Sequence, residues 1–107
     1  MKLVTAIVNK EDSRNVTHGL IEAGFSVTRL STTGGFLMAG NVTLLIGTEA
    51  EKVDRAIEII SEHSKQRTEV VPSSAGFGVG MEHTYPVEVT VGGATVFVTN
   101  VERFEKL

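Results

Sequence analysis

Phe25-Ser26-Val27-Thr28-Arg29-Leu30-Ser31 and Val42-Thr43-Leu44-Leu45-Ile46 are two β-forming runs separated only by the turn-rich stretch from Thr32 to Asn41. In the first run Phe25, Val27 and Arg29 share one parity while Ser26, Thr28 and Leu30 share the other. The second is the most strongly β-forming segment in the middle of the chain. No helical pattern lies between them, so two strands follow one another directly. That adjacency, together with the short chain, argues against a doubly wound parallel sheet, whose strands need helical crossovers.

On the N-terminal side, Leu3 to Val8 is a near-continuous apolar run, as expected of a strand covered on both faces. Asp12 or Ser13 can cap a helix, because a short side-chain oxygen accepts from free N–H groups of the first turn. Val16, Leu20 and Ala23 then recur at helical spacing, and Gly24 stands where a C-terminal glycine is favoured. On the C-terminal side, Thr48 followed by Glu51 has the reciprocal capping-box spacing. Val53, Ala56, Ile57 and Ile60 form an apolar stripe with charged residues around it, which predicts a second helix.

Thr68 to Val71 reads as a short strand ended by Pro72, and Ser73 to Thr84, with Gly76, Gly78 and Gly80, reads as a mobile loop. Val87, Val89 and Val91 alternate with Glu88 and Thr90. A last strand runs from Ala94 to Val101, leaving a tail whose anchor is Phe104. Gly92 and Gly93 can both take positive φ, as a tight hairpin turn requires. The order βαββα, loop, β-hairpin predicts a ferredoxin-like α+β sandwich: an antiparallel βαββαβ sheet with both helices on one face. One domain, residues 1–107, is expected, with a flexible loop at about 72–84. Thr5, Ile7, Val89, Val91, Val96 and Val98 cannot all lie against two short helices. Some of them face the helix-free side, and self-association is the simplest way to cover them.

The composition narrows the function. The chain has 107 residues, of which 41% are hydrophobic, enough for a core rather than global disorder. The absence of Cys excludes a disulfide scaffold, a thiolate nucleophile and thiolate-ligated metal. A formal net charge of −3 argues against a nucleic-acid binder. No apolar run is long enough to span a bilayer, and Met1 to Asn9 reads as a strand rather than a leader, so a cytoplasmic location is expected.

Thr32-Thr33-Gly34-Gly35-Phe36-Leu37-Met38-Ala39-Gly40-Asn41 is the most informative motif. Gly34 and Gly35 permit positive φ and a close backbone approach to a ligand. Phe36 and Leu37 are suited to clamping a planar ring, and Asn41 offers a donor and an acceptor to a base edge or a ribose. The competing reading is a hairpin loop whose Phe36 and Leu37 fill a neighbour's surface. No Walker A lysine follows, and Gly76-Phe77-Gly78-Val79-Gly80 lacks the spacing and context of a dinucleotide fingerprint. That second stretch reads better as a lid or partner-contacting loop with Phe77 and Met81 at its tip. His18, His63 and His83 are scattered singly, so no metal site is assigned, and no Ser–His–Asp grouping is legible.

Thr32 to Leu37 continued by Ala39-Gly40-Asn41 resembles the signature of the PII-like cyclic di-AMP receptor proteins. So do Tyr85-Pro86-Val87-Glu88-Val89 with Val91-Gly92-Gly93-Ala94-Thr95-Val96-Phe97-Val98, and the opening Lys2 to Val8 with Asp12-Ser13. The likeness runs nearly end to end. It implies a homotrimer that binds the bacterial second messenger cyclic di-AMP between subunits, without enzymatic activity or cofactor, and signals to an unidentified protein partner through the glycine-rich loop. Residue matching implies a ligand site of Ser26, Thr28, Gly35, Phe36, Leu37, Asn41 and Gly47. Phe36 and Leu37 would hold an adenine, and Thr28 and Asn41 would supply polar contacts. Family members often carry arginine where this chain has Ser26, asparagine in place of Gly24, a basic residue for Met38 and glutamine for Lys106. These departures leave two alternatives: a sensor of another adenine nucleotide (ATP or ADP), or a ligand-free structural trimer. An acylphosphatase-type hydrolase is disfavoured, because the loop after the first strand, Asn9-Lys10-Glu11-Asp12, is acidic and has no arginine.

Overall fold

The computed structural model describes residues 1–30, 40–73 and 85–107. Strand β1 (Lys2–Asn9) leads into helix α1 (Lys10–Glu22), followed by β2 (Ser26–Leu30) and β3 (Asn41–Thr48). Helix α2 (Val53–His63), β4 (Arg67–Ser73), β5 (Tyr85–Val91) and β6 (Ala94–Asn100) complete the order. The four strands β2-β3-β1-β6 form one antiparallel sheet, and β4 and β5 pair in a separate two-stranded ribbon. The expected βαββαβ arrangement, with its antiparallel sheet and two helices, is therefore present.

Alternation along the strands decides what is buried. Val4, Ala6 and Val8 of β1 and Val42, Leu44 and Ile46 of β3 point to one face, where Val16 and Leu20 of α1 and Ala56, Ile59 and Ile60 of α2 close over them. Each large aliphatic side chain buried this way contributes about 1.5–3 kcal/mol. Both helices thus lie on one face of the sheet.

Helix α1 starts earlier than the sequence suggests. Its cap is Asn9, whose side chain accepts from the Glu11 N–H at 2.8 Å, rather than Asp12 or Ser13. Those two residues are drawn inward instead: the Ser13 hydroxyl donates to the Lys10 carbonyl, and Asp12 reaches Arg67. The C-terminus ends as the sequence implies. Gly24 has φ +94, its N–H donates to the Ile21 carbonyl, and the Phe25 N–H donates back to Leu20. This pattern satisfies the last carbonyls and packs Phe25 beside Leu20 in the core.

Three further expectations are corrected. Thr48 does not cap α2. It is buried at the end of β3, and the chain enters α2 through a 3-10 turn at Ala50–Lys52 with no side-chain cap. Strand β4 does not stop at Pro72, which pairs with Pro86 across the ribbon. A two-stranded ribbon has two free edges, so a residue without an N–H is tolerated where its nitrogen faces outward. Finally, Gly92 and Gly93 do not join a β5–β6 hairpin. Both have positive φ (+82 and +81), yet β5 pairs with β4 while β6 joins β1. They form the corner where the chain turns from the ribbon back into the main sheet. Residues 31–39 and 74–84, with the Thr32–Ala39 portion of the aromatic loop, the Gly76–Gly80 stretch, Met81 and His83, lie outside the described residues.

Candidate functional site

The helix-free face of the main sheet carries the other parity of every strand. The register aligns Leu3 with Gly47 and Thr5 with both Leu45 and Phe97, while β2 sets Ser26 against Gly47 and Thr28 against Leu45. Asn41 stands opposite Asn9 at the far end. Ser26, Thr28, Asn41 and Gly47, the expected site residues within the described part of the chain, therefore all lie on this one face. Gly35, Phe36 and Leu37 lie outside the described residues.

Sharing a face does not place them around one point. Asn41 and Gly47 are six residues apart on β3, about 20 Å at the strand rise, and each borders a different cavity. One cavity of about 460 Å³ is lined by Asn9, Asn41, Gln66, Gly92, Gly93 and Thr95, together with Ile7 and Ala94. The other, about 210 Å³, lies by Gly24, Ser26 and Gly47 at the opposite end of the sheet, with Glu49 and Lys52 on its rim. Within one protomer Ser26 meets Gly47, and Asn41 meets Asn9 and the root of the ribbon.

Gly47 has no structural reason within the described chain to be glycine. Its φ is not positive, and a Cβ built on it would meet nothing within 4 Å. Glycine inside a strand weakens it, and commonly marks close approach of a ligand or another backbone. The face around it is partly apolar as well. Leu3, Ile7 and Leu45 are half-buried, and Phe97 is 55% exposed. Of the residues suspected of facing away from the helices, Thr5 and Ile7 do so. Val96 and Val98 align with Ala6 and Val4 on the helix side, while Val89 and Val91 belong to the ribbon.

An ionic clasp stands at the ribbon root. Arg67 Nη1 donates to both oxygens of Asp12, at 3.2 and 3.3 Å, and the guanidinium also reaches Glu69 at 3.4 Å and Glu11 at 3.6 Å. The Asp12 hydrogen bond, reinforced by its charge and by Glu69, holds the Arg67 pKa above its ordinary value against the opposing effect of burial. Gly92 is required here twice over. Besides its positive φ, a Cβ would come within 2.6 Å of the Lys65 carbonyl and 2.8 Å of Arg67 Nη1. The Gly93 N–H donates to the Ser64 carbonyl, fixing the same corner to the end of α2.

Sequence reading missed Asn9, Gln66 and the Asp12–Arg67 pair. Asn9 was discoverable, being a good capping residue directly after a strand. Gln66 and the ion pair carry no local signal. His18 pairs with Glu22 on the exposed side of α1, and His63 lies over Gly19 between the helices. Among the described residues no group of three His, Cys, Asp or Glu side chains is placed to hold a metal, and no helix is long and apolar enough to cross a membrane.

Comparison with known proteins places the chain in context. A family model described as cyclic-di-AMP receptor matches residues 1–107. A crystal structure of a functionally unknown protein from Pediococcus pentosaceus ATCC 25745 is similar, with a TM-score of 0.74 and 42% sequence identity. The match covers 99% of this chain and 96% of that one.

Proposed function

The chain belongs to the cyclic-di-AMP receptor family, and from that premise we propose that it is a non-enzymatic sensor of cyclic di-AMP. It works as a homotrimer in the cytoplasm, holding the nucleotide between subunits and passing the signal to a protein partner through the ribbon and its loop. The observation that carries this reading is the placement of Ser26, Thr28, Asn41 and Gly47 on the helix-free face of the sheet. That face is partly apolar and uncovered by the helices. A second copy lying across it would bury Phe97 and bring the Asn41 end of one protomer toward residues of another, which a single protomer does not do. Gly47 then has its reason, leaving space for the neighbouring chain or the ligand.

Isothermal titration tests the ligand, with saturable binding of cyclic di-AMP at a stoichiometry equal to the number of subunits expected. A flat trace with cyclic di-AMP beside a saturable one with ATP or ADP favours the second reading. Its motive is Ser26, a neutral side chain at the position where resemblance leads one to look for arginine. Light scattering after size exclusion tests the assembly, and a monomer at micromolar concentration overturns the intersubunit site.

A further inference from the structure

The cavity that borders Asn41 has more polar equipment than the residue matching assigned to it. Asn9 lies directly across from Asn41 in the β1–β3 register, and both line the cavity with Gln66, which comes from the chain between α2 and the ribbon. Three carboxamides thus border one space of about 460 Å³, within the size range of small-ligand sites. Asn9 is already half committed. Its Oδ1 accepts from the Glu11 N–H to cap α1, which fixes the side chain and leaves its NH2 group as a donor only. Among the described residues none of the three amide NH2 groups has a hydrogen-bond acceptor.

We propose that Asn9 and Gln66 are nucleotide-binding residues, so that one bound nucleotide touches the sheet through Asn9 and Asn41 and the ribbon root through Gln66. This rests on the sensor reading above and deepens it. Asn9 donates to an acceptor atom of the nucleotide, on the base, the ribose or a phosphodiester. Gln66 directly precedes Arg67, so a ligand drawn against Gln66 bears on the residue that clasps the ribbon to α1. Occupancy is thereby coupled to the ribbon without requiring any change in the sheet.

The test is titration of cyclic di-AMP into the full-length wild type and the variants Asn9→Ser, Gln66→Ala and Asn41→Ala. Serine caps a helix about as well as asparagine, so Asn9→Ser keeps α1 while removing the amide donor. Asn9→Ser and Gln66→Ala are each expected to weaken binding about two- to tenfold where the acceptor is neutral and about ten- to a hundredfold where it is a phosphodiester oxygen, with unchanged thermal midpoints in the absence of ligand. Wild-type affinity in both variants, with Asn41→Ala impaired, overturns the inference and leaves the sensor reading standing. Absence of binding by the wild type overturns the sensor reading and the inference with it. Repeating the titrations with adenosine locates the acceptor. A loss seen there on Asn9→Ser puts it on the base or ribose, whereas a loss confined to the dinucleotide puts it on a phosphodiester oxygen.

Discussion

The two faces of the main sheet are built from the same four strands, yet among the described residues only one is closed over by helices. On the helix side Val4, Ala6, Leu44 and Ile46 are fully buried, closed over by α1 and α2. On the other side Leu3, Ile7 and Leu45 are half-buried, Phe97 stands out from the surface, and polar residues and a glycine interrupt the apolar ones. The difference separates two tasks. The first face stabilises the fold of a single chain, whereas the second is available for contacts that the described residues do not make with one another. Substitutions should therefore divide by face: stability on one, assembly and ligand binding on the other.

The largest effect belongs to the covered face. Leu44→Ala is expected to cost about 2–5 kcal/mol in chemical denaturation, since it opens a cavity among residues that cannot collapse into it. A loss below about 1 kcal/mol would deny the contrast between the faces. Phe97→Asp, on the open face, should leave the far-ultraviolet circular dichroism unchanged while shifting light scattering from the proposed trimer to monomer. A trimer that survives it moves the assembly surface elsewhere. Gly47→Ala sharpens the comparison further. With nothing within 4 Å of the new methyl, folding stability should stay the same or rise by up to about 1 kcal/mol, while cyclic di-AMP binding or assembly falls.

The smallest global effect is expected of the double variant Asp12→Ala with Arg67→Ala, because removing both partners leaves no buried carboxylate without its ion pair. The clasp holds a ribbon that adds little to the core, so the thermal midpoint should barely move while amide exchange in β4 and β5 quickens. The raised Arg67 pKa means that its contribution is complete below the unfolded guanidinium value and is lost only as pH rises through the higher folded value. Deprotonation of Arg67 therefore should not release the ribbon at neutral or moderately alkaline pH. Ribbon exchange that accelerates between neutral pH and about pH 9, beyond the intrinsic base catalysis of exchange, would contradict this.

Much of this was legible from local pattern. Val16 and Leu20 marked α1, Gly24 marked its end, and the adjacency of β2 and β3 excluded a parallel sheet. The caps were less legible. Asp12 and Ser13 are chemically competent to cap, and so is Thr48, but burial recruited all three elsewhere. Similarly, two adjacent glycines between β-runs indicate positive φ, and they have it, but positive φ serves a corner between sheets as well as a hairpin. At the site, the side chains Ser26, Thr28 and Asn41 could be nominated from sequence, whereas their common face depended on strand register.

Short-range chemistry, carried by periodicity, glycine positions and capping propensities, determined which segments become helices or strands, because those choices depend on neighbours a few residues away. Only tertiary structure decided which strand each run would join, that Asp12 would meet Arg67 across 55 positions of chain, and that Asn9 and Gln66 would border the same space as Asn41. Those outcomes depend on burial and pairing between distant segments, where hydrogen bonding to any of several strands satisfies the backbone equally and side-chain packing makes the choice.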